Sequence, residues 1–115
     1  MRAVVKAISS DEIDLKTFVP ADPSCFFLSL HIRIGIADTA GADDFELRVC
    51  TPEWLRQSFS EPLWGRHLLI VREYSLSIIE ERIHAYVAEC DGNDWDAIAL
   101  KLSRMFAWEF EDYQL

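Results

Sequence analysis

The residues of this chain that could do chemistry are its three histidines, its three cysteines and several acid pairs, and their spacing decides what each can do. A zinc site on a helix needs two histidines one turn apart, as in H-E-x-x-H, so that both rings reach one ion. His31, His67 and His84 have no such spacing, and no metal is assigned to them. A nucleophilic cysteine needs a neighbour that favours its thiolate. Cys50 stands just before a helix start, but it ends an apolar strand face and has no paired base in view, so it reads as a buried structural thiol. Acid–base work needs two carboxylates turned toward one substrate. Asp43/Asp44, Glu80/Glu81 and Glu109/Glu111 are close neighbours in sequence and read instead as solvated acids. The sequence has neither a glycine-rich phosphate loop nor a G-x-S-x-G turn. No catalytic residue and no cofactor is assigned, and the chain is expected not to be an enzyme.

Charge and composition narrow the partner classes without deciding among them, because an acidic surface also serves solubility alone. Twenty acids stand against 11 bases, a formal net charge of -9 with a sequence pI of about 4.6. Nucleic acid needs a basic footprint, so DNA and RNA are excluded as expected ligands, whereas a basic protein would be attracted at long range. No apolar run has the length of a membrane span, and Met1 to Ile8 passes straight into Ser-Ser-Asp-Glu without the apolar core of a secretory signal. Cys25, Cys50 and Cys90 are odd in number, without paired spacing, and lie in or beside apolar segments. They are expected to be reduced and buried, in a cytoplasmic protein.

The elements that must position these residues follow from hydrophobic period and from capping chemistry. A chain of 115 residues that is 50% hydrophobic suits one domain, 1–115. Arg2 to Ile8 reads as a strand, and Ser9 to Leu15 as one helical turn within a connector that Pro20 and Pro23 close. Cys25 to Ile34 alternates, with Phe26, Leu28, Leu30, Ile32 and Ile34 on one face and Phe27, Ser29, His31 and Arg33 on the other. Gly35 to Ala42 turns the chain, and Asp44 to Cys50 alternates again with Phe45, Leu47 and Val49 inward, giving an antiparallel hairpin. Thr51 caps a short helix to about Ser58, with Pro52 at its first position and Glu53 in its first turn. The apolar run His67 to Val71 is placed inside the sheet, covered on both faces.

Two helices close the chain. Ser75 or Ser77 starts the first, whose stripe is Leu76, Ile79, Ile83, Tyr86, Val87 and Cys90, and Gly92 is its expected C-terminal cap. Asn93 or Asp94 starts the second, whose face is Trp95, Ile98, Ala99, Leu102, Met105 and Phe106. The short Asp91 to Asp94 link turns them into a helical hairpin. Trp108 to Tyr113 alternates aromatics with acids and reads as an extended segment docked on the core. The expected fold is α+β, a two-layer sandwich of a roughly four-stranded, mainly antiparallel sheet with the C-terminal helical hairpin packed on one face. Trp54, Trp95 and Trp108 are assigned to the core; Trp64 lies in a loop outside any periodic segment and reads as an exposed anchor.

Three stretches of the chain also resemble the immunity protein 8 family, small bacterial proteins encoded beside polymorphic toxins. They are Ala3 to Pro20, the Gly41 to Leu55 run with its D-D-F strand and C-T-P-x-W-L helix start, and the closing D-W-D-x-I-A-x-K-L helix followed by W-E-F-E-D-Y. The resemblance implies a protein that binds and neutralises a cognate toxin domain and protects the producing cell. The alternative is an acidic cytoplasmic structural or adaptor protein with no toxin partner. Signature residues Asp43, Asp44, Phe45, Thr51, Pro52, Trp54, Trp95, Trp108, Glu109, Phe110, Glu111, Asp112 and Tyr113 are assigned to the fold, because contacts that meet different toxins should vary. The partner surface is placed on the acids Asp38, Glu80, Glu81, Asp91 and Asp94, with Trp64 and the outward sheet residues His31, Glu46 and Arg48 as further candidates. The partner they imply is the C-terminal domain of the toxin, basic in character, with no nucleic acid and no membrane.

Overall fold

The computed structural model describes residues 1–111. In chain order the elements are β1 (Ala3–Ser9), β2 (Phe27–Ile36), β3 (Asp43–Cys50), α1 (Pro52–Ser58), β4 (Leu68–Ile70), α2 (Leu76–Glu89), α3 (Trp95–Leu102) and β5 (Ala107–Trp108). The sheet runs β1-β2-β3-β4, with β5 also on β3. All pairs are antiparallel except β3 with β4. Helices α2 and α3 cover one face of it.

Alternation builds the core. The β2–β3 register sets Leu28 opposite Val49, Leu30 opposite Leu47 and Ile32 opposite Phe45, and all six side chains are buried. Since a period of two sends these residues to the same face, one apolar sheet surface results. Ile79, Ile83 and Val87 of α2 and Ile98, Ala99 and Leu102 of α3 recur at helical spacing and bury against it. Each large side chain taken out of water contributes about 1.5 to 3 kcal/mol, before the entropy of ordering it is set against the gain. The Tyr86 hydroxyl donates to the Lys101 carbonyl at 2.7 Å, tying the closing helices together.

Capping chemistry sets the helix starts. The Thr51 hydroxyl oxygen accepts from Trp54 N–H, Ser75 Oγ from Ile78 N–H, and Asp94 Oδ1 from Ala97 N–H. Thr51 is fully buried because the same oxygen also accepts from Phe26 N–H at 3.3 Å, joining the head of α1 to the entrance of β2.

Several expectations need correction. The His67 to Val71 run forms an edge strand of only three residues, with Leu68 and Leu69 half-buried and Ile70 53% exposed. An apolar run does not say which face each residue serves, and here only Leu69 and Val71 pack on the core. Gly92 is not a left-handed cap, since no glycine has positive φ; Cys90 ends α2 in an extended conformation. Gly92 instead lies so close to α3 that a Cβ there would meet Ala97 Cβ at 3.0 Å. Helix α3 stops at Leu102, where Ser103 Oγ donates to the Leu100 carbonyl, and the turn that follows leaves Met105 51% exposed.

The connector and the tail also differ. The chain bends after Ser9, and its turns come later, with the Asp14 carbonyl accepting from Thr17 and Phe18 N–H and the Asp22 carbonyl from Cys25 N–H. Beyond β5, Glu111 N–H bonds the Trp108 carbonyl, so the tail turns rather than staying extended and Phe110 is 43% exposed. Asp112 and Tyr113 lie outside the described residues. Trp54 is half-buried and outside the core cluster, stacked on Phe27 with ring centroids 4.6 Å apart. Of the three free thiols, Cys50 and Cys90 are buried and Cys25 is half-exposed beside Gln57.

Candidate partner surfaces

The hairpin end of the sheet is a clasp. Asp43 opens β3, and its Oδ2 accepts from the indole N–H of Trp95 at 2.7 Å and from that of Trp108 at 3.0 Å. One carboxylate oxygen thereby holds the first residue of α3 and the last of β5. Phe45, two residues on along β3, lies under Trp108 with ring planes 14° apart. Asp44 N–H donates to Glu109 Oε1 at 2.9 Å, the Asp44 carbonyl accepts from Glu109 N–H, and Asp44 Oδ1 pairs with Arg33 at 2.7 Å. Gly35 lets the hairpin loop fold back, because a Cβ there would fall 2.1 Å from the Gly41 carbonyl oxygen.

The acids assigned to a partner are divided by the fold. Arg2 bridges Asp91, and its carbonyl accepts from Ala37 N–H, so Asp38, Asp91 and Asp94 gather at this same end. All three are exposed, but Asp94 caps α3 and Asp91 takes Lys101 Nζ on its carbonyl at 2.6 Å. Glu80 and Glu81 stand apart in the first half of α2, and Glu80 is half-buried rather than exposed. The outward sheet residues are also engaged. His31 Nε2 is 2.9 Å from Asp11 Oδ2, Glu46 Oε1 accepts from Ser29 Oγ at 2.6 Å, and Arg48 donates to the Arg66 carbonyl.

The opposite end is open. Trp64 is 93% exposed in the loop between α1 and β4, and Phe59, Leu63 and Ile70 nearby also show large apolar area. A cavity of about 460 Å³ runs between α1 and β4, lined in part by Leu55, Phe59, Leu63 and Ile70. On the α2 side a second of about 530 Å³ is lined in part by Ile70, Ile78, Arg72 and Arg82. A third, about 270 Å³ and mostly apolar, lies by Leu47, Leu68, Tyr86 and Met105 and also reaches Arg82. Ile70, Ile78, Arg72 and Arg82 were not among the residues picked from sequence. The signal that could have found them is the Pro62-Leu63-Trp64-Gly65 loop, whose apolar residues have no periodic partner and so mark the neighbouring strand as a border.

Two of the three thiols are disfavoured as nucleophiles. Burial raises the Cys50 thiol above its ordinary value, with Arg48 opposing only in part, and burial likewise raises Cys90. A buried thiol that resists ionisation is the opposite of an activated nucleophile. Among the described residues no group of three histidine, cysteine, aspartate or glutamate side chains could hold a metal ion. Among the described residues no helix is long and apolar enough to cross a membrane.

The model of a protein family described as immunity protein 8 matches residues 3–113. No curated protein and no solved structure matches the chain.

Proposed function

The chain belongs to the immunity protein 8 family, and from that membership we propose that it binds and neutralises the C-terminal domain of a polymorphic bacterial toxin, delivered by contact or by secretion. The observation that carries this reading is the extent of the match, residues 3–113, which takes in the hairpin, the clasp and both closing helices. The chemistry of the molecule supports it. The Cys50 and Cys90 thiols are suppressed by burial, its acids are capped, paired or solvated, and its exposed apolar side chains are concentrated near one strand. An inhibitor needs surface complementarity and no reaction of its own.

The partner is proposed to be basic and the site of action cytoplasmic. A formal net charge of -9 favours encounter with a basic domain, and that advantage fades as salt shortens the range of the field to about 8 Å at physiological ionic strength. The test is co-expression with the toxin C-terminal domain encoded immediately upstream, read as restored growth and as co-purification. Absence of both, with a domain that is toxic by itself, refutes the reading and leaves the adaptor alternative. Association rates of the purified pair should fall as salt rises; a flat dependence would remove charge steering from the account.

A further inference from the structure

Strand β4 is an edge with a bare side. Arg48 N–H bonds the His67 carbonyl and Val71 N–H bonds the Cys50 carbonyl, so His67 and Val71 turn their backbone groups to β3. Alternation then directs the N–H and C=O groups of Leu68 and Ile70 away from it, where β4 has no further strand among the described residues. Native sheets blunt such edges with lysine, proline or a covering element, because a bare edge is a template for another strand. The three residues of β4 include neither lysine nor proline, and its outermost side chain, Ile70, is 53% exposed.

We propose that β4 is the docking strand of this protein, and that it pairs with an extended segment of the toxin domain bearing alternating apolar side chains and a carboxylate. The inference rests on the immunity reading above and adds to it the surface and the chemistry of the bound segment. An added strand sends successive side chains to opposite faces, and β4 offers a receptor on each. One face has the groove of Phe59, Leu63 and Ile70 beside the exposed Trp64; the other has Ile78 and the guanidinium groups of Arg72 and Arg82. Neither arginine has an ion pair or hydrogen bond among the described residues, unlike Arg33, Arg56 and Arg66, which are paired with Asp44, Glu53 and Glu111. Two unpaired cations beside an apolar groove complement a carboxylate, which a planar guanidinium binds through two parallel bonds. They also disfavour a second copy of this chain as the occupant, since self-pairing would set Arg72 and Arg82 against the same two cations with only Glu73 between them. The acids at the hairpin end, by contrast, are partly engaged: Asp94 caps a helix and Asp91 holds Lys101. Net charge draws the partner in at long range, and the two arginines select a local carboxylate.

The test uses the full chain with the purified toxin domain encoded upstream. Ile70→Pro removes an outward N–H without touching the β3 ladder, and the double variant Arg72→Glu with Arg82→Glu reverses the local charge. Each should weaken binding about tenfold or more and reduce growth rescue, whereas Leu100→Ala, at an exposed position on α3, should bind as the parent does. If Ile70→Pro fails to fold, amide exchange of the parent gives the same answer, because binding should protect the Leu68 and Ile70 N–H groups. A parent chain that does not bind the domain refutes the immunity reading and this inference together. A parent that binds while both variants bind within about twofold, or without protection at Leu68 and Ile70, overturns the docking strand and leaves the immunity reading standing. A parent that sediments as a dimer, dissociated by Ile70→Pro, assigns the edge to a second copy and equally overturns it.

Discussion

The outer edge of β3 is shared by two short strands, and they have been finished in opposite ways. Beside Phe45 and Glu46 lies β5, antiparallel, covered by Trp108 and locked through the shared Asp43 oxygen. Beside Arg48 to Cys50 lies β4, parallel, with its far side bare and Ile70 half in water. One backbone edge thus serves first as a closure and then as a border. With β4 as the proposed docking strand, stability and recognition are divided along a single strand, the signature aspartate and tryptophans at the closed half and the outward backbone groups of Leu68 and Ile70 at the other.

The sharpest way to break the closed half is at its centre. Phe45→Ala should cost about 3 to 5 kcal/mol, since the ring is 1% exposed between Trp95, Phe106 and Trp108, and a cavity there cannot close easily. Thermal unfolding checks it, and an unchanged Tm would remove Phe45 from the core. Asp43→Ala should cost less, about 1 to 3 kcal/mol, because two indole N–H groups lose a charged acceptor but are only part-buried and can reach water. Tryptophan emission should move to the red in that variant, and Asp43→Asn, which keeps one acceptor, should recover part of the loss. The open half should hardly respond. Trp64→Ala and Ile70→Lys are expected to change stability by less than about 0.5 kcal/mol, and a larger loss would mean that this border is structural.

The smallest effect concerns α1, beside the open half. Hydrogen bonds from Arg56 and then Gln57 hold the Glu53 carboxyl down at about 2, against an ordinary 4.5. A depressed acid supports the fold above its unfolded value and loses that support as pH falls through its folded one, so the window is from 4.5 down to about 2. Solvent reaches the pair, with the Arg56 side chain 71% and that of Glu53 38% exposed, and screens it, so only local loosening is expected. Amide exchange within α1 should speed up across that window, and in Glu53→Gln the step should vanish.

Much of this was legible from residue types. The β2–β3 hairpin followed from strict alternation because a one-residue slip would have turned Leu30 and Ile32 outward, and α1 followed from Thr51 and Pro52, whose capping roles are local. Long-range satisfaction of polar groups was not legible. Nothing at Asp43 announces two indoles 52 and 65 residues away, and those bonds, not alternation alone, fix where the tail lies. Nor could an apolar run show that β4 is an edge, since Leu68-Leu69-Ile70 would read the same in the middle of a sheet. Of the acids chosen for a partner, Asp38, Asp91 and Asp94 share one end of the molecule, but the helical duty of Asp94 and the Lys101 tie of Asp91 emerge only with the fold in place.

The shared oxygen of Asp43 also sets a timetable. Its second indole belongs to Trp108, 65 residues after Asp43, so during synthesis the clasp stays half-made until the chain has grown through β5 and that segment has left the ribosome. Until then Phe45 lacks its stacked cover and the outer edge of β3 beside it is unpaired. A nascent chain therefore exposes along β3 an unpaired edge that the folded molecule closes with β5.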